Sequence, residues 1–246
     1  GGARRSGFIP LPRAPCVGGG LLNGDAGTQM MAGTREEARG LLYMVLYAPA
    51  GAGFNAPVPG RASLHMQVFL LGEDGIDKSP EFEKGEIGPF SRELDALLDA
   101  GILAKEVIRE GDMIRLAGEG AATARVFWDQ ATDREREYVL ETKGIINDME
   151  YWEMISYVYS SFPEYAGGTD AYEEYMERRV DSACSLFRKK KVSLEKASEI
   201  AGMRMWDFEE VLCRSGIPLH AFGADEMRHN LKVVKSISRH ERAAPS

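Results

Sequence analysis

The chain has 246 residues, 44% of them hydrophobic, and its formal net charge is −8. This length and composition allow one large domain or two modest domains with hydrophobic cores. No apolar run approaches the roughly 18 to 20 residues that span a bilayer, and the first thirty residues lack the apolar core of a signal peptide, so we expect a cytoplasmic protein.

The charge is unevenly distributed along the sequence. Residues 1–33 carry three basic side chains and one acidic side chain, residues 34–177 carry 13 basic and 28 acidic, and residues 178–246 carry 14 basic and 9 acidic. An acidic body with a basic C-terminal region favours binding of a polyanion, although a surplus of five positive charges is modest for a DNA-binding domain.

Residues 1–33 are rich in glycine, proline and arginine and have neither helical nor strand periodicity. A segment of this composition does not bury enough apolar surface to become ordered. We therefore expect residues 1–33 to be a disordered or spurious N-terminal extension, and the first domain to begin at Thr34.

The sequence from Thr34 to Gly120 predicts three helices followed by a β-hairpin. Thr34 and Glu37 have capping-box spacing and start the first helix, which Pro49 stops. The second and third helices and the two strands are predicted at residues 60–71, 92–100 (stopped by Gly101), 104–108 and 113–116. This order of elements is typical of a winged helix.

Two further capping boxes, Thr132/Glu135 and Asn147/Glu150, predict helices in the remainder of a domain that ends at residue 166. The second of these helices carries a run of aromatic side chains between Tyr151 and Tyr165. We expect these aromatic residues to belong to the core. The alternative is an exposed partner-binding surface that includes Trp152, Tyr157, Tyr159 and, on the third helix, Arg92.

Residues 167–246 form the second predicted unit. A long amphipathic helix starts near Asp170 and Glu173, and its apolar positions are Met176, Val180, Cys184 and Phe187. After a basic tetrad at residues 188–191, Ser193 is the predicted N-cap of a short helix, and Gly202 supplies the turn into a second short helix. This spacing predicts a helix-turn-helix. The fold class is therefore mainly α with a small β-hairpin.

Two aromatic residues of the last helix have different predicted roles. Phe208 aligns with Val211 and Leu212, so we expect it in the core. Trp206 is expected to pack its ring over the preceding long helix near Cys184 and Phe187.

The segment from about Leu186 to Ile237 resembles a known family. Lys191 to Gly202, Trp206-Asp207-Phe208 and Gly216-Ile217-Pro218-Leu219-His220 are similar to the small helix-turn-helix proteins of archaea and bacteria regarded as VapB-like antitoxins. The resemblance implies a regulator that binds DNA, a cognate toxin or both, and that forms a homodimer. Those relatives are usually short and free-standing, whereas this segment follows a large N-terminal region.

A second resemblance covers Leu41 to about Tyr165. Pro59-Gly60-Arg61, Gly88-Pro89-Phe90-Ser91, residues 97–103 and the segments Tyr157-Val158-Tyr159 and Phe162-Pro163-Glu164-Tyr165 are similar to the YwgA-like proteins, which are related to the Panacea (SocA-like) antitoxin domains. This resemblance implies a regulator that binds other proteins.

DNA contact is the leading functional hypothesis for the C-terminal unit. Clustered cations bind phosphates by releasing counterions, so the expected DNA-binding residues are Arg188, Lys189, Lys190, Lys191, Lys196, Arg204 and Arg214. The tetrad has the alternative role of a solvated helix end. Because the second short helix carries Asp207, Glu209 and Glu210, the rival hypothesis is an adaptor that binds a protein and does not contact DNA.

The sequence gives no sign of an enzyme. Its four histidines and three cysteines match no metal-binding or catalytic spacing, and it contains neither a nucleophile elbow nor a phosphate-binding loop. We expect no catalytic residue, no metal and no cofactor, and we expect His65 to be a half-buried residue of the second helix.

Overall fold

A computed structural model describes residues 24–51, 53–166 and 171–219, with side chains from Arg35 onward. Within these residues the chain is mainly helical with a small amount of antiparallel sheet. The helices are α1 (Gly24–Tyr47), α2 (Gly60–Glu73), α3 (Arg92–Leu103), α4 (Gly118–Gln130), α5 (Asp133–Ile146), α6 (Tyr151–Ser161), α7 (Tyr172–Arg188), α8 (Leu194–Ala201) and α9 (Met205–Arg214), with a 3₁₀ turn at Pro163–Tyr165. The strands are β1 (Val58–Pro59), β2 (Glu83–Lys84), β3 (Pro89–Phe90), β4 (Val107–Glu110) and β5 (Met113–Leu116).

The strands form two small antiparallel sheets. In the first, the order is β1-β5-β4, and the predicted hairpin joins its last two strands with Val107 opposite Leu116. Gly111 turns this hairpin with a φ of 61°. The second sheet pairs β2 with β3, and Glu83 of β2 forms an ion pair with Arg92 at the start of α3. The predicted hairpin is therefore confirmed, with the turn narrowed to Gly111-Asp112.

Most of the predicted helices are present, but several of their ends differ. Helix α1 begins at Gly24, so Thr34 lies inside it and is not its N-cap. Residues 1–33 were expected to be disordered. Residues 1–23 lie outside the described part of the chain, whereas residues 24–33 are helical, contrary to the prediction. The Thr132/Glu135 capping box is confirmed, with Thr132 Oγ1 accepting from the Glu135 amide at 3.2 Å.

Two predicted helix signals are wrong. Gly101 lies inside α3 and does not end it, because its missing side chain makes room for β4: a Cβ atom there would lie 2.8 Å from Val107. Asn147 ends α5, and the capping box that starts α6 is formed by Glu150 and Glu153 instead. Both errors arise because one residue type serves several local roles, and the tertiary neighbours decide among them.

Two clusters of buried side chains hold the structure together. The first core surrounds α1, which packs against α2, α3, α4 and β5; its largest fully buried side chains include Tyr43, Leu41 and Leu42. The second core is centred on α6, α7, α8 and α9, with Met66 and Phe69 of α2 contributing to it. Since α6 packs on both α7 and α8, residues before and after 167–170 share one core. The domain boundary at residue 166 stays a prediction.

Lys143 of α5 is fully buried at the edge of the first core. Its Nζ atom lies 2.7 to 3.0 Å from the main-chain oxygens of Val45, Leu46, Ala48 and Ala56. Two of these oxygens belong to the last turn of α1, where carbonyl groups have no partner within the helix. The amine therefore terminates α1 from a distant part of the sequence, and burial lowers the pKa of Lys143 to about 7.

Candidate functional site

Helices α8 and α9 form a compact two-helix unit on the end of α7. Ser193 caps α8 by accepting the Lys196 amide hydrogen at 3.1 Å, as predicted. Gly202 ends α8 in the left-handed region with a φ of 66°, and its α-carbon faces the guanidinium of Arg179 on α7. A Cβ atom at position 202 would collide with that guanidinium. The turn between α8 and α9 therefore favours glycine for its left-handed conformation, whereas the flexible Arg179 side chain could move away from a Cβ atom.

The inner side of this unit is apolar. Phe208 and Leu212 are fully buried, and Ile200 and Ala201 of α8 and Phe187 of α7 belong to the same core. The predicted placement of Phe208 is confirmed. Of the predicted apolar positions on α7, Cys184 and Phe187 are buried, but Met176 is exposed because Tyr175 and Ala183 occupy the inner face instead.

The position of Trp206 differs from the prediction. Its side chain is 78% exposed and does not cover Cys184 or Phe187. The first turn of α9 places Trp206 outward, while Phe208, two residues later, points inward. Met203 and Met205 on either side of Arg204 are also exposed. We call Met203, Met205 and Trp206 together the Trp206 surface.

The sequence of this C-terminal region can be compared with known proteins. Residues 171–236 match the Uncharacterised protein family (UPF0175). A UPF0175 protein of Aeropyrum pernix is 42% identical over 60 residues, which are 24% of this chain and 66% of that relative. The match thus spans just under two thirds of the relative's length, and neither description names an activity. No solved structure matches the chain.

The basic tetrad at the end of α7 is partly engaged in ion pairs. Lys189 Nζ lies 2.8 Å from Glu153 Oε2 on α6, and Lys191 Nζ lies 2.7 Å from Asp148 Oδ2. Burial lowers the pKa of Lys189, but the hydrogen bond and the charge of Glu153 together raise it by more. The pKa of Lys189 is therefore raised overall. Lys190 adopts a left-handed conformation with a φ of 59°, and Arg188 is exposed. Two of the four cations thus connect the end of α7 to α6 and to the loop before α6.

The other three predicted DNA-binding residues also contact carboxylates of their own helices. Lys196 is buried and pairs with Glu199 at 2.7 Å, Arg204 pairs with Asp207 at 2.8 Å, and Arg214 pairs with Glu210 at 2.6 Å. The pairs of Arg204 and Arg214 neutralise cations on the outer face of the unit, whereas Lys196 is buried. The seven predicted residues lie on one part of the fold, yet at least five of them already have an acidic partner.

The four residues predicted to bind a partner protein are not brought together. Tyr157 and Tyr159 are buried in the second core, which confirms the expectation that the aromatic run is largely structural and corrects their assignment to a surface. Trp152 is half-buried beneath Arg178, whose guanidinium carbon lies 5.4 Å from the ring centre. Arg92 is exposed and pairs with Glu83 at 2.6 Å.

A cleft of about 900 Å³ lies beside Arg92, between the first turns of α2 and α3 and the β2–β3 loop. Its wall includes His65, which is 3% exposed and stacks on Phe90 with 4.9 Å between ring centres. Sequence reasoning treated His65 as half-buried and did not find this cleft, because its parts are separated by up to 34 residues. Among the residues that the structure describes, no group of three His, Cys, Asp or Glu side chains is arranged to hold a metal ion.

The described part of the chain also contains no helix that is both long enough and apolar enough to cross a membrane.

Proposed function

We propose that this chain is a non-catalytic regulatory protein that binds another protein through the Trp206 surface. The observation that carries this proposal is the 78% exposure of Trp206 at the start of α9. Tryptophan is among the residues that contribute most to protein interfaces, and a large exposed indole is a suitable anchor for a pocket on a partner.

The neighbourhood of the indole suits a protein partner. Met203 and Met205 add flexible, polarisable side chains that adapt to an apolar pocket. The carboxylates Asp207, Glu209 and Glu210 outnumber Arg204 and Arg214, with which two of them pair, so the rim of the surface is weakly acidic. We therefore propose a partner that offers an apolar pocket with a basic rim. A cognate toxin is the first candidate, since Lys191 to Gly202 resemble VapB-like antitoxins.

The same features argue against DNA as the first choice. The carboxylates of α9 outnumber the arginines beside them and weaken the attraction to phosphates, and at least five of the seven cations expected to contact phosphates are held in the ion pairs described above. In the N-terminal region, Asp99 of α3 is exposed and Glu93 is half-buried, and Arg61 pairs with Asp95 and Asp99. Neither α3 nor α9 offers the free arginine, lysine or amide groups that read base edges.

The test is a binding measurement between the full chain and the product of the adjacent gene. We expect Trp206→Ala to weaken the complex by about thirtyfold or more, as for an interface hot spot. Leu103→Ala is the matched control, because Leu103 is an exposed apolar residue of α3 remote in sequence from α9. Equal affinity of wild type and Trp206→Ala would overturn the assignment of the surface.

DNA binding is a second candidate, favoured by one observation. Helices α8 and α9, joined by the tight turn at Gly202 after the long helix α7, have the order and spacing of a helix-turn-helix. The hairpin after α3 likewise agrees with a winged-helix interpretation of the N-terminal region. Both interpretations stay predictions.

A gel-shift assay with the DNA upstream of the gene distinguishes the two candidates. Arg188→Ala and Lys190→Gly are the informative variants, since neither breaks the Lys189 and Lys191 ion pairs and glycine accepts the left-handed backbone of Lys190. If the protein acts on DNA, this double variant should bind all sequences more weakly and with a smaller salt dependence. If it acts only on a protein, no shift is expected for wild type.

A further inference from the structure

Helix α7 carries an apolar stripe that the fold covers over only part of its length. Tyr172, Met176 and Val180 follow one another at intervals of four residues and therefore lie along one side of the helix. Farther along α7, Cys184 and Phe187 are buried in the second core. Toward the start of the helix, Tyr172 is 37% exposed and Met176 is 40% exposed, while Val180 is half-buried. The first half of the stripe is thus open to solvent.

A row of carboxylates runs beside the open part of this stripe. Glu173, Glu177 and Asp181 are also spaced four residues apart, and all three are exposed. None of them forms an ion pair within the described part of the chain, whereas the neighbouring Glu174 pairs with Arg178 at 2.8 Å. We call the open apolar stripe and this row of three carboxylates together the α7 face.

The row of carboxylates destabilises the helix that carries it. Like charges four residues apart on a helix repel each other, which applies to Glu173 with Glu177 and to Glu177 with Asp181. Only Glu173 lies in the first turn, where the helix dipole favours a negative charge. Among the described residues no cation pairs with the row to offset this repulsion. A cationic partner would therefore relieve a repulsion as well as form new contacts.

The aromatic end of the α7 face is supported by the core beneath it. The ring centre of Tyr172 lies 5.8 Å from that of Tyr175, which is buried. Tyr175 in turn packs against the buried Tyr159 of α6, with 5.2 Å between the ring centres. An aromatic side chain that is already held in place loses little conformational freedom on binding. Met176, one turn farther along, has a flexible side chain that adapts to the shape of a partner.

The charge of the α7 face decides which kind of partner fits it. The carboxylates repel nucleic acid and anionic membrane surfaces, and two copies that met antiparallel through this face would place their carboxylates side by side. A segment with apolar side chains flanked by lysine or arginine complements both the stripe and the row. We propose that the α7 face binds a basic amphipathic helix of a partner protein. The α7 face shares no residue with the Trp206 surface, so this inference does not rest on the proposed function.

The experiment selects ligands from a phage-displayed library of random peptides about 15 residues long, enough for about four helical turns. The library is first depleted on the Met176→Gln/Glu177→Gln double variant of the full chain and is then selected on the wild-type chain. We expect the enriched peptides to combine apolar residues at helical spacing with a surplus of lysine and arginine. No enrichment, or enriched peptides without a basic surplus, would overturn the proposal.

Single variants then locate the binding of the enriched peptides. Met176→Gln should weaken it by about tenfold, because it removes an apolar anchor. Glu177→Gln should weaken it by about threefold at low salt and by less at high salt, because its contribution is electrostatic. Val126→Gln and Glu119→Gln, at exposed positions of α4, are the matched controls and should not change the affinity. Unchanged affinity in either α7 variant would contradict the proposal.

Two measurements identify other occupants of the α7 face. A synthetic peptide of residues 220–246 that bound more tightly than the selected peptides would assign the face to this chain's own C-terminal residues and overturn the proposal. Sedimentation of the full chain tests for a second copy. A wild-type dimer that dissociated in Met176→Gln would assign the face to self-association and would likewise overturn the proposal, whereas we expect the same sedimentation for both.

The Trp206→Ala variant separates this inference from the proposed function. The selected peptides should keep their affinity for that variant, because Trp206 lies on α9 and is not part of the α7 face. Peptides that lost affinity for Trp206→Ala but not for Met176→Gln would support the Trp206 surface and overturn the α7 face.

Discussion

The two cores of this molecule use their lysine residues in different ways. At the first core, Lys143 is fully buried and donates hydrogen bonds to the carbonyl groups at the end of α1, which have no partner within the helix. At the margin of the second core, Lys189 and Lys191 form ion pairs that connect the end of α7 to α6 and to the loop before α6. The first lysine completes a helix, whereas the other two orient one element on another.

The two regions also differ in whether their large aromatic side chains are buried or exposed to solvent. The first core encloses the aromatic ring of Tyr43, while the unit built on the second core leaves Trp206 exposed beside the buried Phe208. Of two aromatic residues two positions apart on α9, one is thus exposed to solvent and the other is buried in the core. This contrast teaches that apolar character alone does not reveal whether a residue stabilises the chain or is available to a partner.

The largest expected effect on stability comes from replacing these two aromatic residues one at a time. Phe208→Ala should lower the free energy of unfolding by about 3 to 5 kcal/mol, because it leaves a cavity in the second core. Trp206→Ala should change it by no more than about 0.5 kcal/mol. Chemical denaturation of the full chain measures both. Similar losses for the two variants would contradict the outward position of Trp206.

A somewhat smaller loss is expected for Lys143→Met at the first core. Methionine fills much of the space of the lysine side chain but leaves buried carbonyl groups of Val45, Leu46 and Ala48 without a donor. We expect a loss of about 3 kcal/mol at pH 7. Lys105→Met, at an exposed position, is the control. A neutral effect of Lys143→Met would show that α1 does not need this donor.

Lys143 also predicts a dependence of stability on pH. Its pKa falls from 10.5 to about 7 on folding, so between these values the unfolded chain binds more protons than the folded chain. The contribution of this residue to stability therefore rises from pH 7 to pH 10 and is constant below pH 7. Denaturation of wild type and Lys143→Met over this range tests the prediction. A constant difference between them would contradict it.

The smallest expected effect concerns the ion pair between Lys189 and Glu153. Glu153 is 3% exposed and Lys189 is partly exposed, so we expect a coupling energy of about 1 kcal/mol in a double-mutant cycle of Lys189→Met and Glu153→Gln. High salt should reduce it only slightly, because one partner is buried. Zero coupling would mean that the pair does not fasten α7.

The sequence predicted features whose causes are local. Ser193, Gly202 and the Thr132/Glu135 box were correctly placed, because a capping hydroxyl or a left-handed glycine acts within a few residues. The mainly helical fold and the hairpin followed from the same kind of signal. The C-terminal resemblance found support in the UPF0175 match, whereas the antitoxin association and the second resemblance stay predictions.

The missed features depend on residues that are distant in the sequence. Nothing near Lys143 indicates that it binds carbonyl groups of α1, and nothing near Lys189 indicates that Glu153 is its partner. The expected position of Trp206 was wrong because periodicity gives the direction of a side chain but not what lies in that direction. The acidic partners of Lys196, Arg204 and Arg214 lie three or four residues away, at a spacing that the sequence shows. The partners of Lys189 and Lys191 lie across the fold and could only be located in three dimensions.

The lysine that closes α1 has a consequence for synthesis of the chain on the ribosome. Lys143 lies 95 to 98 residues after Val45, Leu46 and Ala48, so it is made long after the helix end that it completes. At about 5 to 20 residues per second, the delay is roughly 5 to 20 seconds. During that interval the nascent α1 has an unfinished end, and its apolar face awaits the helices that follow. The order of synthesis thus constrains folding, because the first core cannot be completed until α5 has been made.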